Sequence, residues 1–345
     1  MRDSIFYSTI RAFFVALFGV FGFIVGLIVL IAAIGAMSST TLSEPEASFS
    51  QKVVANAEGE RKTTLGKDVP VILQLNIDGI IGAEGLTMQT IRKLLVESRE
   101  GDLKNDRVKG IILHINSPGG TVVDADGIYR ALKTYKEQYK VPVYAYVDGL
   151  CASGGMYVAA AADKIYASDV SLIGSVGVVS PAFLNFTDLI SKIGVQALTL
   201  TAGKDKDVLN PLRPWKPGEE KEIQDIIDYY YKLFVNIVTT NRPEIDKTKL
   251  VDDYGAKVFD PIQAKEYGFI NEAGYGPREA LKKLLEEVKI TDNNYQVIEM
   301  QHKSWYSELF GSESSLLKGK VKHQLDLGTE LDPNLANQFL YLYRP

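Results

Sequence analysis

This chain has little of what most catalytic and metal-binding proteins rely on. It contains one cysteine, Cys151, and only three histidines, His114, His302 and His323. A single thiol cannot close an internal disulfide, and no His/Cys group has the spacing of metal ligands, so neither a metal nor another cofactor is expected. There is no excess of positive charge: the formal net charge is −5, which gives no electrostatic reason to expect a nucleic-acid partner. No internal repeat is visible, which excludes a solenoid or propeller. Cys151 lies two residues before Ser153 and reads as a small buried hydrophobe rather than a second nucleophile.

Charge is also missing from one long stretch. From Ala12 to Met37 every residue is uncharged, most are Phe, Val, Leu, Ile, Ala or Gly, and Arg2 and Arg11 precede them. About 20 apolar residues cross a bilayer, whereas the apolar region of a cleavable signal peptide is about 7–15 residues long. We therefore expect a transmembrane signal anchor over 12–37, with residues 1–11 in the cytoplasm and the remainder exported. Residues 38–67 are small, polar and aperiodic, and read as a flexible stalk.

Beyond the stalk the pattern alternates. Val69 to Ile80, Val108 to Ile115 and Pro142 to Val147 read as strands, with amphipathic helices at Thr87 to Ser98 and Asp124 to Tyr139 between them. Lys164 to Ala167 and Val195 to Thr201 read as further strands, and Asn185 to Ile193, Lys216 to Asn241 and Pro277 to Lys289 as further helices. This is an α/β order, which predicts a mainly parallel sheet with functional loops at the strand C-terminal ends. The globular domain is expected over 68–290, with a looser tail over 291–345. Gln338 to Tyr343, QFLYLY, is aromatic and β-prone, so it is expected to pair with a sheet edge or occupy a peptide groove, and to regulate or be processed by a neighbouring site.

Three loops follow three strands. After Val143 to Val147, the chain breaks at Asp148-Gly149 and resumes as an Ala-rich helix whose first turn holds Ser153, Gly154 and Gly155. A serine there is exposed on a strand-to-helix turn, the glycines admit a substrate backbone, and unpaired N–H groups face any developing negative charge. A serine nucleophile needs a base and an oxyanion hole. Ser117-Pro118-Gly119-Gly120 supplies backbone N–H groups for the second. For the first, His114 sits within a strand, where a structural role fits better, while Lys204 or Lys206, after Gly203, could serve if desolvated.

Asn116-Ser-Pro-Gly-Gly120, Asp148-Gly-Leu-Cys-Ala-Ser-Gly-Gly-Met-Tyr157, Ile173-Gly-Ser-Val-Gly-Val178 and Gly203-Lys-Asp-Lys-Asp207 occur in that order. Together they resemble the signal peptide peptidase SppA family in its short, single-domain form. The resemblance implies a ClpP/crotonase-like fold of stacked ββα units, preceded by one transmembrane helix, and a serine–lysine dyad. It assigns Ser153 as nucleophile and Lys206 as base, because the family pattern is Gly-x-x-Lys-Asp. It assigns Ser175 to orient the lysine, and the N–H groups of Gly154 and of Gly119 or Gly120 to the oxyanion hole. It further implies a homo-oligomeric ring, no cofactor, remnant signal peptides and other short apolar peptides as substrates, and a single-pass location in the bacterial cytoplasmic membrane with the catalytic domain outside. A crotonase-like acyl-CoA enzyme and a non-catalytic peptide-binding scaffold are the competing readings.

Overall fold

A computed structural model of the chain describes residues 13–23, 25–27, 49–66, 68–83, 85–302 and 340–343. The chain divides into two units, Met1–Ser48 and Phe49–Pro345. In the first, residues 13–23 and 25–27 are helical and carry exposed Phe13, Phe14, Leu17, Phe18 and Phe21. No helix among the described residues is long and apolar enough to cross a membrane. Positions 12, 24 and 28–37 of the expected span lie outside them.

The second unit is built on a nine-stranded sheet. Its strands in chain order are β1 (Phe49–Val54), β2 (Val71–Asp78), β3 (Val108–Ser117), β5 (Val143–Ala152), β6 (Lys164–Ala167), β7 (Leu172–Gly174), β8 (Val258–Phe259), β9 (Glu272–Ala273) and β10 (Gln296–His302). A separate pair is formed by β4 (Gly119–Thr121) and β11 (Leu340–Leu342). The main order is β1-β10-β2-β3-β5-β6-β9, with β7 alongside the end of β5 and β8 alongside β7. Only β1–β10 and β7–β8 are antiparallel within this sheet. The expected mixed α/β fold with a mainly parallel sheet is therefore present.

The alternation along each strand sorts side chains onto two faces. Val71, Leu73, Leu75 and Ile77 of β2, Ile111, Leu113 and Ile115 of β3, and Val143, Ala145 and Val147 of β5 form one buried layer. That layer packs against α1 (Met88–Glu97), α2 (Val122–Tyr139) and α3 (Gly154–Ala159). Ile72, Ile112, Tyr144 and Tyr146 point the other way, towards Leu281, Leu284 and Leu285. Burying each such aliphatic side chain contributes about 1.5–3 kcal/mol. Caps fix where the helices begin: the Thr87 side chain accepts from the Thr90 amide at 3.2 Å, and the Thr121 side chain from the Asp124 amide at 3.1 Å. The Asp124 carboxylate in turn accepts from the Met88 amide at 2.8 Å, which ties the start of α1 to the start of α2.

Four sequence-based expectations need correction. The stalk expected over 38–67 does not run to its end, because Phe49–Val54 is the sheet's edge strand, paired residue by residue with β10. The domain does not stop at 290: Gln296–His302 lies parallel to β2, with Val297 beside Ile72 and Ile298 beside Leu73, so its alternation serves both faces. Two distant, individually weak strands complete each other, and neither reads clearly alone. Conversely, Val195 to Thr201 is not a strand. Its Leu198 and Leu200 are 84% and 85% exposed, and β-propensity without a neighbouring edge to pair with does not make a ladder. The helix expected at Asn185 to Ile193 is shorter, α4 (Thr187–Lys192); α5 (Lys221–Asn241), α6 (Pro261–Glu266) and α7 (Pro277–Glu287) complete the unit.

Candidate active site

Ser153 occupies the turn between β5 and α3 with φ 53° and ψ −117°, a conformation that costs a non-glycine residue about 1–3 kcal/mol. Its amide donates to the Gly174 carbonyl at 2.9 Å and its carbonyl accepts from the Tyr157 amide at 2.9 Å, so the turn is held from both sides. The rest of the anchoring comes from the Leu150–Leu172, Cys151–Ile173 and Ala152–Gly174 pairs of β5 with β7. Ser153 is 1% exposed, and its hydroxyl makes no capping hydrogen bond to the helix that follows it. Ser175 follows the Gly174 that receives the Ser153 amide; it is buried, has φ 54°, and its amide donates to the Lys257 carbonyl at 2.7 Å.

The glycines of β4 come close to the same turn. Ile81 donates its amide to the Gly119 carbonyl at 2.8 Å and accepts from the Thr121 amide at 2.9 Å. These bonds bridge past Gly120, whose own amide and carbonyl therefore face the opposite side. The Gly119 amide is already committed to the Ser117 hydroxyl at 3.1 Å, and that hydroxyl donates to the Gly79 carbonyl at 2.6 Å. Of the two candidates left open by the sequence, Gly120 is the one whose N–H is directed outward. A β-carbon on Gly154 would lie 3.1 Å from the Gly120 nitrogen and 3.1 Å from the Gly119 Cα, so the three glycines line one small space.

That space is occupied by the chain's own C-terminal segment. Leu340–Leu342 runs antiparallel to β4, with Tyr341 opposite Gly120, and the Tyr343 amide donates to the Pro118 carbonyl at 2.7 Å. The Tyr341 carbonyl oxygen is what a β-carbon on Gly119 would collide with, and it would lie 3.0 Å from one on Gly154. The Tyr341 ring is fully buried: it stacks on Tyr157 at 5.0 Å, contacts Phe234 at 4.7 Å, and donates its hydroxyl to the Tyr230 carbonyl at 3.0 Å. Tyr157 donates to the Asp126 carboxylate at 2.7 Å, and burial pushes its phenol well above the usual range. Periodicity does not single out Tyr157, Phe234 and Tyr230 as a pocket; the aromatic run Tyr229-Tyr230-Tyr231 with Phe234 is the one signal that could have.

Lys206 is not brought to Ser153. It lines a separate cleft of about 380 Å³ with Lys204, Asp207, Arg213 and Glu219. There Arg213 donates to Asp207 at 2.6 Å and to Glu219 at 3.1 Å, and the guanidinium holds the Glu219 carboxyl down to about 2. This pins the residue next to Lys206 and fixes the loop. Lys204 is 93% exposed beside Asp205. His114 stands on the other sheet face with Asp148 at 3.4 Å and Tyr146 beneath its ring, so it is not the base. Cys151 is buried among apolar neighbours, and desolvation pushes its thiol up to about 12, which leaves no thiolate for chemistry. Among the described residues no group of His, Cys, Asp and Glu is arranged to hold a metal.

A serine on a strained strand-to-helix turn, flanked by two glycine loops and crossed by an extended peptide, is the arrangement of a serine protease. Residues 135–291 match Peptidase family S49, and residues 84–171 match Clp protease. "Putative signal peptide peptidase SppA" of Enterococcus faecium is 32% identical over 72% of this chain and 71% of its own length. "Serine protease SPPA, chloroplastic" of Arabidopsis thaliana is 32% identical over 53% of this chain, which spans 27% of the plant protein. A ClpP1 mutant from Listeria monocytogenes is similar at 17% identity and TM-score 0.40, over 60% of this chain and 94% of that one. The chain belongs to the SppA family of serine proteases, peptidase family S49.

Proposed function

We propose that this protein is a membrane-anchored serine endopeptidase that uses Ser153 and Lys206 as a dyad to cut remnant signal peptides and other short apolar peptides in extended form. The observation that carries the reading is the antiparallel pairing of Leu340–Leu342 with β4, which places a peptide carbonyl, that of Tyr341, over Gly120 and Gly154. Main-chain pairing of this kind holds a substrate largely regardless of its sequence, while a side-chain pocket sets the preference.

In the reaction the Lys206 amine takes the proton of Ser153 Oγ as that oxygen attacks the carbonyl carbon. The N–H groups of Gly120 and Gly154 stabilise the oxyanion, and their fixed backbone positions require no reorganisation as the charge forms. The C–N bond breaks, the leaving amine receives the proton from the lysine, and water activated by the same lysine hydrolyses the ester. Ser175, joined to the Ser153 turn through Gly174, orients the lysine.

Lys206 reaches the nucleophile on assembly of a homo-oligomeric ring. The segment that carries it exposes Leu184, Leu189, Ile193, Leu198 and Leu200, an apolar run that a monomer would leave in water and a neighbouring copy would cover. The core follows the stacked ββα plan of ClpP and crotonase relatives. Residues 12–37 anchor the chain in the bacterial cytoplasmic membrane, with residues 1–11 inside and the catalytic domain outside.

The test is cleavage of an unfolded protein such as casein by the assembled chain. Ser153→Ala and Lys206→Ala should each abolish it without altering assembly. Full activity in both would remove the dyad.

A further inference from the structure

Ser117 is fully buried at the end of β3, and its hydroxyl has one proton and two lone pairs to place. The proton goes to the Gly79 carbonyl at 2.6 Å, so the oxygen is left to accept, and it does so from the Gly119 amide at 3.1 Å. Gly79 is itself held, its amide donating to the Asn116 carbonyl at 3.0 Å. In a trans peptide the N–H and C=O point in opposite directions. With the Gly119 N–H turned in towards Ser117, the Pro118 carbonyl of the same peptide unit is turned out, and there it accepts the Tyr343 amide at 2.7 Å.

The two peptide units of this loop are fixed by different partners. Ile81 holds the Gly119–Gly120 unit, its amide donating to the Gly119 carbonyl at 2.8 Å, while Ser117 holds the Pro118–Gly119 unit. That second unit turns over by rotation about the Pro118 ψ and the Gly119 φ. Gly119 stands at φ 99° and has no Cβ to restrict it, so the chain itself tolerates either orientation. Turned over, the unit would present an N–H where an approaching peptide amide needs an acceptor.

We propose that Ser117 is a positioning residue: its buried hydroxyl fixes the Pro118–Gly119 peptide unit so that the Pro118 carbonyl faces the groove and accepts a main-chain amide on the leaving side of the substrate. This deepens the serine-protease reading and rests on it. With a substrate carbonyl where that of Tyr341 lies, against Gly119 and Gly154, the amide that reaches Pro118 belongs to the second residue beyond the cleaved bond. Ser117 touches neither the substrate nor the reacting atoms and acts through Pro118. The contact is to main chain alone, so it favours peptides that continue past the cleaved bond whatever their side chains.

The experiment measures kcat/KM of the assembled full-length protein for a matched pair of internally quenched peptides. They are identical except that in one the N–H of the second residue after the cleaved bond is replaced by an ester oxygen, and mass spectrometry of the products confirms that the same bond is cut. In the wild type the amide should exceed the ester by roughly 3- to 10-fold, the worth of one neutral hydrogen bond. In Ser117→Ala the ratio should fall to about one, because the acceptor is no longer held in place. Ser117→Cys, which keeps the shape but exchanges a strong donor and acceptor for weak ones, carries the same test should the alanine variant not fold. Ser98→Ala is the control: Ser98 is equally buried at the end of α1, with its hydroxyl bonded to the Leu95 carbonyl at 2.7 Å and to Tyr135 at 2.9 Å, and its loss should leave the ratio at the wild-type value. A ratio in the Ser117 variant equal to that of the wild type overturns the role of Ser117, and a ratio of one in the wild type overturns the Pro118 contact. A wild type that cuts neither peptide would instead remove the protease reading on which both depend.

Discussion

The Ser153 amide donates to the Gly174 carbonyl at 2.9 Å, and that one bond couples the nucleophile's turn to the loop bearing Ser175. Both serines hold positive φ, 53° and 54°, where L residues are strained. Glycine at position 153 would relieve the strain, whereas alanine would keep it. Ser153→Gly should therefore be more stable than Ser153→Ala by about 1 kcal/mol, with both inactive. Urea unfolding midpoints measure the difference; equal midpoints would mean that the turn relaxes at no cost.

The glycines of the site divide by what surrounds them. A β-carbon at Gly120 would collide with the Ile81 backbone, which cannot move without breaking its bonds to Gly119 and Thr121. At Gly154 the nearest atoms would be the Tyr341 carbonyl oxygen at 3.0 Å and the Gly119 Cα and Gly120 nitrogen at 3.1 Å, a tight fit but no overlap. Gly120→Ala should thus cost stability as well as activity. Gly154→Ala should leave the thermal midpoint nearly unchanged and lower kcat by roughly 10²- to 10³-fold, the usual loss when an oxyanion donor is disturbed. Calorimetry and steady-state kinetics on the two variants separate the cases.

Much of this arrangement was legible in the chain. The alternation in Val71–Asp78, Val108–Ser117 and Val143–Ala152 identifies the parallel strands, since each buries both faces. Thr87, three residues before Thr90, marks where α1 begins. What sequence could not show is pairing between remote segments. β1 and β10 are short and ordinary until they meet, and β11, Leu-Tyr-Leu, reads as a segment able to pair with an edge without showing that its partner is Gly119–Thr121. The choice between Gly119 and Gly120 depended on where the Ser117 hydroxyl points, which no spacing rule contains.

Cys151 makes stability depend on pH in a definite direction. Burial raises its thiol to about 12 in the folded protein, against about 8.5 in an unfolded chain. Between those values the unfolded state releases a proton that the folded state keeps, so stability is fully present below about pH 8.5 and falls as pH rises towards 12. The slope should approach about 1.4 kcal/mol per pH unit for this group. Cys151→Ala should flatten the alkaline limb by that amount, measured by chemical denaturation from pH 7 to 11. The native thiol should also resist iodoacetamide until the protein unfolds; an unchanged limb or rapid native alkylation would contradict the burial.

The central claim is that Ser153 is activated by Lys206, although the two residues stand in separate places in the single chain. The most direct measurement is the rate of Ser153 labelling by a fluorophosphonate as a function of pH, in the assembled wild type and in Lys206→Ala and Lys204→Ala. The account predicts labelling that rises through a single ionisation in the wild type and in Lys204→Ala and is lost in Lys206→Ala. Labelling that survives Lys206→Ala with the same pH profile would contradict it.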